Sequence, residues 1–359
     1  MAVELPFFIT VRITVHTRTR LAIALASASL AACTTVDTPP PPNTLVVAKA
    51  TAAPALDGNA GDAVWAAAKP LSVKLSGGAN FGTTGETTAT LKALTSGDMI
   101  YFLLQYADPT ESLQRGPYRK QADGSWKKLS DPKDKGGDDN VYYEDKWSLM
   151  WNANDSIAGF NQNGCAVMCH VGEGKPFGNK YTNNAGEIAD MWHMKGSRNG
   201  VWGQVDDQYV DNTRYDKDKS PNAGRKGDPG GADYKAFSLV NGRPEFMNND
   251  GKAANAGGTY YVKDGNQVAF DDSKFKAGDE VSSYIVYQLK GDRGDIQVAS
   301  RWQNGTWTYE IARKLTTGSQ YDVQFSDMGR TYTFGVAAFD NAQVRHAVAW
   351  EPLKLVFAK

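Results

Sequence analysis

Residues 88–94 (TATLKAL) alternate apolar and polar positions, and a short apolar run follows at 99–106 (MIYFLLQY), closed by Asp108-Pro109. Both segments read as strands. Residues 147–151 (WSLMW), 281–287 (VSSYIVY), 307–313 (WTYEIAR) and 332–339 (YTFGVAAF) continue the pattern, with the C-terminal pair the clearest. Many short strands, 11% aromatic residues and 36 glycines point to an all-β chain, an immunoglobulin-like β-sandwich. Two polar, turn-rich stretches, 108–140 and 203–235, interrupt the strands and read as solvated loops.

One segment has a different period. On a helical wheel residues 187–198 place Ile188, Met191, Trp192 and the stem of Lys195 on one face, with Met194 beside it and His193 nearly opposite. Asn183 or Asn184 supplies an N-cap and Glu187 a first-turn acid. The expectation is a short helical insertion packed through a Met/Trp surface.

The N-terminus is of another kind. Arg12, Arg18 and Arg20 precede an apolar run of about ten residues that ends in LAAC at Cys33, too short to span a bilayer as a helix. A basic region, a short apolar core and small residues before a cysteine resemble a lipoprotein signal. The resemblance implies acylation of Cys33 and a membrane anchor through lipid. Thr34, in place of Asp, favours the outer membrane on the periplasmic side of the envelope. The expected organisation is a signal peptide over 1–32, a proline-rich tether over 33–44 and one domain over 45–359. The net charge of −1 offers no basic stripe, and nucleic acid is not an expected partner.

With Cys33 assigned to lipid, two of the three cysteines remain, in the stretch NGCAVMCH at 163–170. Cys165 and Cys169 stand four apart and staple no long loop, so their role is local and chemical. The stretch ends in Cys-His, as a c-type haem attachment site does, with three residues rather than two between the cysteines. Two thiols would form thioethers with the haem vinyl groups, and His170 would bind the iron. A local disulfide accounts for the pair but not for His170. Zinc accounts for all three but lacks a second ligand pair at the usual spacing.

CAVMCH, together with Tyr181-Thr182-Asn183, EIADMWHMK at 187–195, Arg198 and Gly203-Gln204-Val205-Asp206-Asp207, resembles haem-binding domains of the ethylbenzene dehydrogenase γ-subunit type. Near the ends, Ala55-Leu56-Asp57-Gly58 with Val64-Trp65, and EIAR at 310–313 with FGVAAFD at 334–340, also resemble family 9 carbohydrate-binding modules. The resemblance implies a sandwich carrying one haem and passing electrons. It departs from the b-type members, which use methionine and lysine as axial ligands, because a histidine here follows the second cysteine.

Outside the signal peptide the chain has three histidines, His170, His193 and His346. His346 shares its strand face with Val344 and Val348, which makes it the expected second iron ligand. His193, Met191 and Met194 compete for that position, with Met191 and Trp192 expected to line the pocket. Lys195, Arg198 and Arg345 are the expected partners of haem propionates. The expected function is an exported, lipid-anchored c-type cytochrome with one haem c, an electron carrier rather than an enzyme. Its partners would be a redox donor and acceptor, a molybdenum/iron–sulfur oxidoreductase among them. Two alternatives stay open: a carbohydrate-binding sandwich without haem, and a haem enzyme or sensor with an open sixth iron position.

Overall fold

The computed structural model describes residues 40–131, 141–173 and 175–359. Cys33 and the signal segment lie outside the described residues. Thirteen strands form one large sheet: β1 (Thr44–Lys49), β2 (Leu71–Leu75), β3 (Thr87–Ser96), β4 (Met99–Ala107), β5 (Lys146–Asn152), β6 (Ala189–Lys195), β7 (Asp206–Val210), β8 (Arg225–Gly227), β9 (Gln297–Gln303), β10 (Thr306–Lys314), β11 (Tyr332–Phe339), β12 (Ala347–Val348) and β13 (Leu353–Phe357). Their spatial order is β8-β7-β6-β5-β11-β13-β1-β3-β4-β10-β9, with β2 added on β3 and β12 on β11. Only the β1–β13 and β1–β3 pairs in this sheet are parallel.

The sheet curls so that its two halves face each other across a common core, giving an all-β sandwich. Phe102 of β4 packs 5.9 Å from Trp151 of β5 and 5.6 Å from Trp192 of β6, between ring centroids. The apolar run of β4 is continuous because both of its faces are covered. Ile100, Phe102, Leu104 and Tyr106 enter the main core, while Tyr101 and Leu103 meet Trp65 and Leu94 in a smaller cluster behind it.

Three of the sequence expectations change. Residues 187–198 do not form a helix: Ala189–Lys195 is strand β6, hydrogen-bonded to β5 on one side and β7 on the other. Both of its faces are buried, so no polar alternation marks it as a strand. The helical turns lie instead at the cysteines, as a short α-helix at Phe160–Asn163 and a 3₁₀ segment at Gly164–Met168. The stretch 203–235 is not all solvated, because Asp206–Val210 is a largely buried strand. Likewise Tyr118 and Trp126, within the stretch 108–140, enter a second core with Phe237, Met247, Val262 and Phe275.

At one rim of the main core, Asp108, Asp145 and Asp340 converge at 0%, 0% and 2% exposure, where hydration cannot relieve their mutual repulsion. Asp145 accepts from Ser112 N, Asn341 N and the Trp307 indole at 2.6, 2.8 and 3.1 Å, which favour its charged form, while burial pushes its carboxyl up to about 8. Burial, and then the neighbouring Asp145 and Asp340, push the Asp108 carboxyl up to about 9. A carboxyl raised above its unfolded value of about 3.9 stabilises the fold at low pH, and that stability is lost as pH rises towards the folded value. Asp108→Asn keeps the shape without needing the proton. It is expected to match the parent near pH 4 and exceed it by about 2 kcal/mol at pH 8. Urea denaturation at both pH values measures this, and an unchanged difference between them would contradict it.

Candidate functional site

Strand pairing decides which side chains share the outer face of the sheet. In β6 the alternation sends Asp190, Trp192 and Met194 one way and Met191, His193 and Lys195 the other. Met191 lies opposite Met150 of β5 and Gln208 of β7; His193 lies opposite Ser148 and Asp206; Lys195 lies opposite Lys146. In β11, Gly335, Ala337 and Phe339 continue the same three rows. The centre of this face is therefore floored by small residues, Ser148, Gly335 and Ala337. Methionines lie at one end and cations with an aromatic ring at the other.

The cysteine segment is laid over the methionine end. Cys165 and Val167 pack with Met150, Met168, Met191, Phe160 and Val210. A Cβ at Gly335 would stand 3.1 Å from the Cys165 sulfur, so glycine lets the cysteine segment lie close on β11 and a larger residue would push the sulfur back. Both cysteines are free thiols, Cys165 half-buried and Cys169 exposed, and no disulfide joins them. Burial raises the Cys165 thiol above its usual range. Lys180 Nζ approaches the Cys169 sulfur at 3.6 Å, and that thiol is the main cause of the raised Lys180 ammonium. His170 begins the hairpin of Cys169–Gly172 and Lys175–Lys180, stacks on Tyr181 at 3.8 Å, and directs Nε2 at the Tyr181 carbonyl 3.2 Å away. Ligation through Nε2 would require His170 to exchange that hydrogen bond. Among the described residues neither cysteine belongs to a trio of metal-ligating side chains within 4.8 Å of one another.

His193 and His346 meet on this face. Phe339 lies between them, 6.0 Å from His193 and 5.0 Å from His346 by ring centroids. The His346 Nδ1 is 2.9 Å from the Val344 carbonyl; a carbonyl only accepts, so Nδ1 carries the proton and Nε2 keeps its lone pair. Burial and then Lys180 push this imidazole down to about 4, which keeps it neutral. The His193 Nδ1 lies 3.4 Å from Gln208 Oε1, and its buried Nε2 has no partner among the described residues. Burial, then Lys195 and Lys146, hold His193 well below the usual imidazole range. Each imidazole is neutral and held through Nδ1, so either one has an Nε2 suited to a metal. The helical wheel had set His193 opposite Met191; the strand puts the two on one face.

The other expected residues separate. Trp192 does not line this face. It is fully buried in the main core, 5.3 Å from Trp151, with its indole donating to Asp190. Met194 is in the same core. Lys195 is paired with Asp206, which Arg293 also binds, and Arg198 is paired with Glu144 at 2.6 Å. Buried carboxylates thus already neutralise both residues expected to meet propionates. Arg345 is exposed. Two cations not singled out from sequence lack such partners: Lys146 and Arg225 make no ion pair among the described residues. Lys146 is 2% exposed, lies 4.0 Å over the Phe339 ring, and donates to the Gln343 carbonyl. Burial and then Arg198 hold both Lys146 and Arg225 below their usual ranges. Cations without an ion pair among the described residues at one end, free imidazole nitrogens in the middle and two thiols at the other fit a haem with its propionates, iron and vinyl groups.

No curated protein matches the chain. Solved structures that resemble it include a family 9 carbohydrate-binding module from Caldicellulosiruptor kristjanssonii in complex with glucose. That match has 9% identity and a TM-score of 0.32, covering 88% of this chain and 95% of the other. A putative carbohydrate-binding protein from Bacteroides uniformis gives 9% identity and a TM-score of 0.32, covering 88% and 99%. Likeness at that level carries no argument about ligands. The family model described as ethylbenzene dehydrogenase matches residues 62–349, from just before Trp65 to just before Trp350 and across the whole face described above. The chain belongs to the ethylbenzene dehydrogenase family.

Proposed function

We propose that this chain is an exported, lipid-anchored c-type cytochrome that carries single electrons through one haem on the outer face of β5, β6, β7 and β11. Family membership supports a haem-related, redox-associated role. The observation that carries the reading is the coincidence at one sheet face of Cys165, the orphan Nε2 of buried His193, and Lys146, which makes no ion pair among the described residues. Bound haem would supply reversible one-electron chemistry at its iron. Cys165 and Cys169 would fix its vinyl edge and His170 would supply one axial nitrogen. His346 remains the proposed second ligand, because its Nδ1–H bond to Val344 leaves Nε2 available. His193, now on the same face, is its direct competitor. Lys146 and Arg225 would receive the propionates. The exposed Cys169 end would put the haem edge within reach of a donor or acceptor protein.

The sugar-binding reading has one point in its favour. Trp350 is the exposed tryptophan among the described residues, at 65%, with its indole held by Ser76. That reading leaves the cysteines and the buried cations without a role.

Haem staining of denatured protein made with a cytochrome c maturation system tests the proposal. Covalent colour is expected from the parent and from His346→Ala, and none from the Cys165→Ala/Cys169→Ala double variant. His346→Ala is expected to convert a low-spin spectrum to high-spin and to admit carbon monoxide. An unchanged spectrum there, with the change appearing in His193→Ala, would transfer the ligand to His193. A parent protein without covalent colour would overturn the cytochrome reading.

A further inference from the structure

On the opposite face of the haem-side strands lies a second group of charges that the proposed cytochrome does not use. Asp190 of β6, Asp207 of β7 and Asp322, in the loop after β10, bring carboxylate oxygens within 4.8 Å of one another at 0%, 0% and 1% exposure. Asp228, just after β8 and 4% exposed, has its carboxyl raised by burial and then by the nearby charges of Asp322 and Asp190. Among the described residues the one cation paired with them is Arg313 of β10, 2.7 Å from Asp322 and 3.9 Å from Asp190. Four buried carboxylates thus face one guanidinium.

Hydrogen bonds satisfy only part of the set. One oxygen of Asp190 accepts from Val323 N and the Trp192 indole, and one oxygen of Asp322 accepts from Arg313 and Thr317. The other oxygens of these two residues, and both oxygens of Asp207 and Asp228, have no partner among the described residues. That makes six orphan oxygens in a dry interior, where an unsatisfied polar atom carries its full desolvation cost. The trio at Asp108, Asp145 and Asp340 differs. Asp145 is served by three N–H donors, and only one oxygen each on Asp108 and Asp340 lacks a partner, so two protons would complete it.

We propose that Asp190, Asp207, Asp228 and Asp322 bind a calcium ion. A buried set of about six unpaired carboxylate oxygens suits calcium, whereas magnesium keeps several waters of its own. The ion would join β6, β7 and the end of β8 to the loop after β10, across the core. Asp190 and Asp207 immediately adjoin Met191, Asp206 and Gln208, so the ion would also fix the strands that carry the proposed haem face. The site does not depend on haem being bound.

Calcium chloride titrated into the chelator-stripped full chain, up to about 1 mM, tests this by calorimetry and by the thermal midpoint. One equivalent bound at this site and a raised midpoint are expected. Asp207→Asn is expected to lose that equivalent and the calcium-dependent rise. With chelator present it should melt no lower than the parent, because it removes an uncompensated buried charge. Asp108→Asn, at the other acidic trio, is expected to keep both. No calcium binding by the parent, as protonated carboxyls alone would give, would overturn the site, as would calcium lost by Asp108→Asn and kept by Asp207→Asn. Should Asp207→Asn fail to fold, Asp228→Asn reads the same equivalent.

Discussion

Glu310→Ala is expected to lower the unfolding free energy by about 4 kcal/mol or more. Glu310 is fully buried in the middle of β10. Its Oε2 accepts from the backbone N–H of Asp57, Gly58 and Asn59 at 3.0, 2.9 and 3.3 Å, and its Oε1 accepts from the Trp65 indole at 2.9 Å. One carboxylate therefore fastens the loop after β1 to β10, the strand beside the sheet edge, 251–253 residues further along the chain. Truncation leaves three donors without an acceptor, while the Asn59 N–H keeps Asp57 Oδ1 at 2.8 Å; each buried orphan costs about 1–3 kcal/mol, less where water can reach it. Trp65 would also lose the bond that orients it over Tyr101 and Leu103, in the cluster covering the second face of β4. Glu310→Gln keeps one acceptor oxygen and is expected to lose roughly half as much. Denaturant unfolding measures both, and a loss under about 1 kcal/mol for alanine would contradict the assigned role.

The residues that make this contact were visible in the sequence as two distant motifs, Leu56-Asp57-Gly58 with Trp65 and Glu310-Ile311-Ala312-Arg313. That they are one structural unit was not, because a carboxylate's partners in another part of the chain leave no local pattern. The same limit hid Lys146 and Arg225, whose interest lies in making no ion pair among the described residues. It also hid β7, where Asp206 is buried only because Lys195 and Arg293 reach it. The cysteine motif and most strands were legible, since spacing and alternation are local properties. The misread helix at 187–198 has a more specific cause. Glu187 does reach back to Asn184 N, at 2.8 Å, as a helix-capping acid would, but here the bond closes a turn ahead of a strand. A second bond from Ala158 N ties that turn to the segment leading to the cysteines. Beyond it β6 is buried on both faces, so apolar residues recur at spacings that a helical wheel accepts as readily as a strand does.

Trp192 separates the two periods by experiment. On a helix it would stand beside Met191 and against the haem; on β6 it faces the opposite way, into the main core. There its ring lies 5.6 Å from Phe102 at 79° and 5.3 Å from Trp151, with the Arg313 guanidinium 5.2 Å from its centroid. Trp192→Ala is expected to cost about 3–5 kcal/mol through the cavity it opens. It would also withdraw the indole donor from Asp190, which already has one oxygen unpaired. Trp192→Phe retains much of the packing and is expected to fold with a smaller loss. Its haem spectrum and axial ligation should match the parent, because the sheet stands between the ring and the outer face. Met191→Ala, on the outer face, is expected to do the reverse, shifting the haem absorption while costing less stability than Trp192→Ala. A Trp192→Phe variant with parental stability and an altered haem spectrum would return Trp192 to the haem pocket, and with it the helical reading.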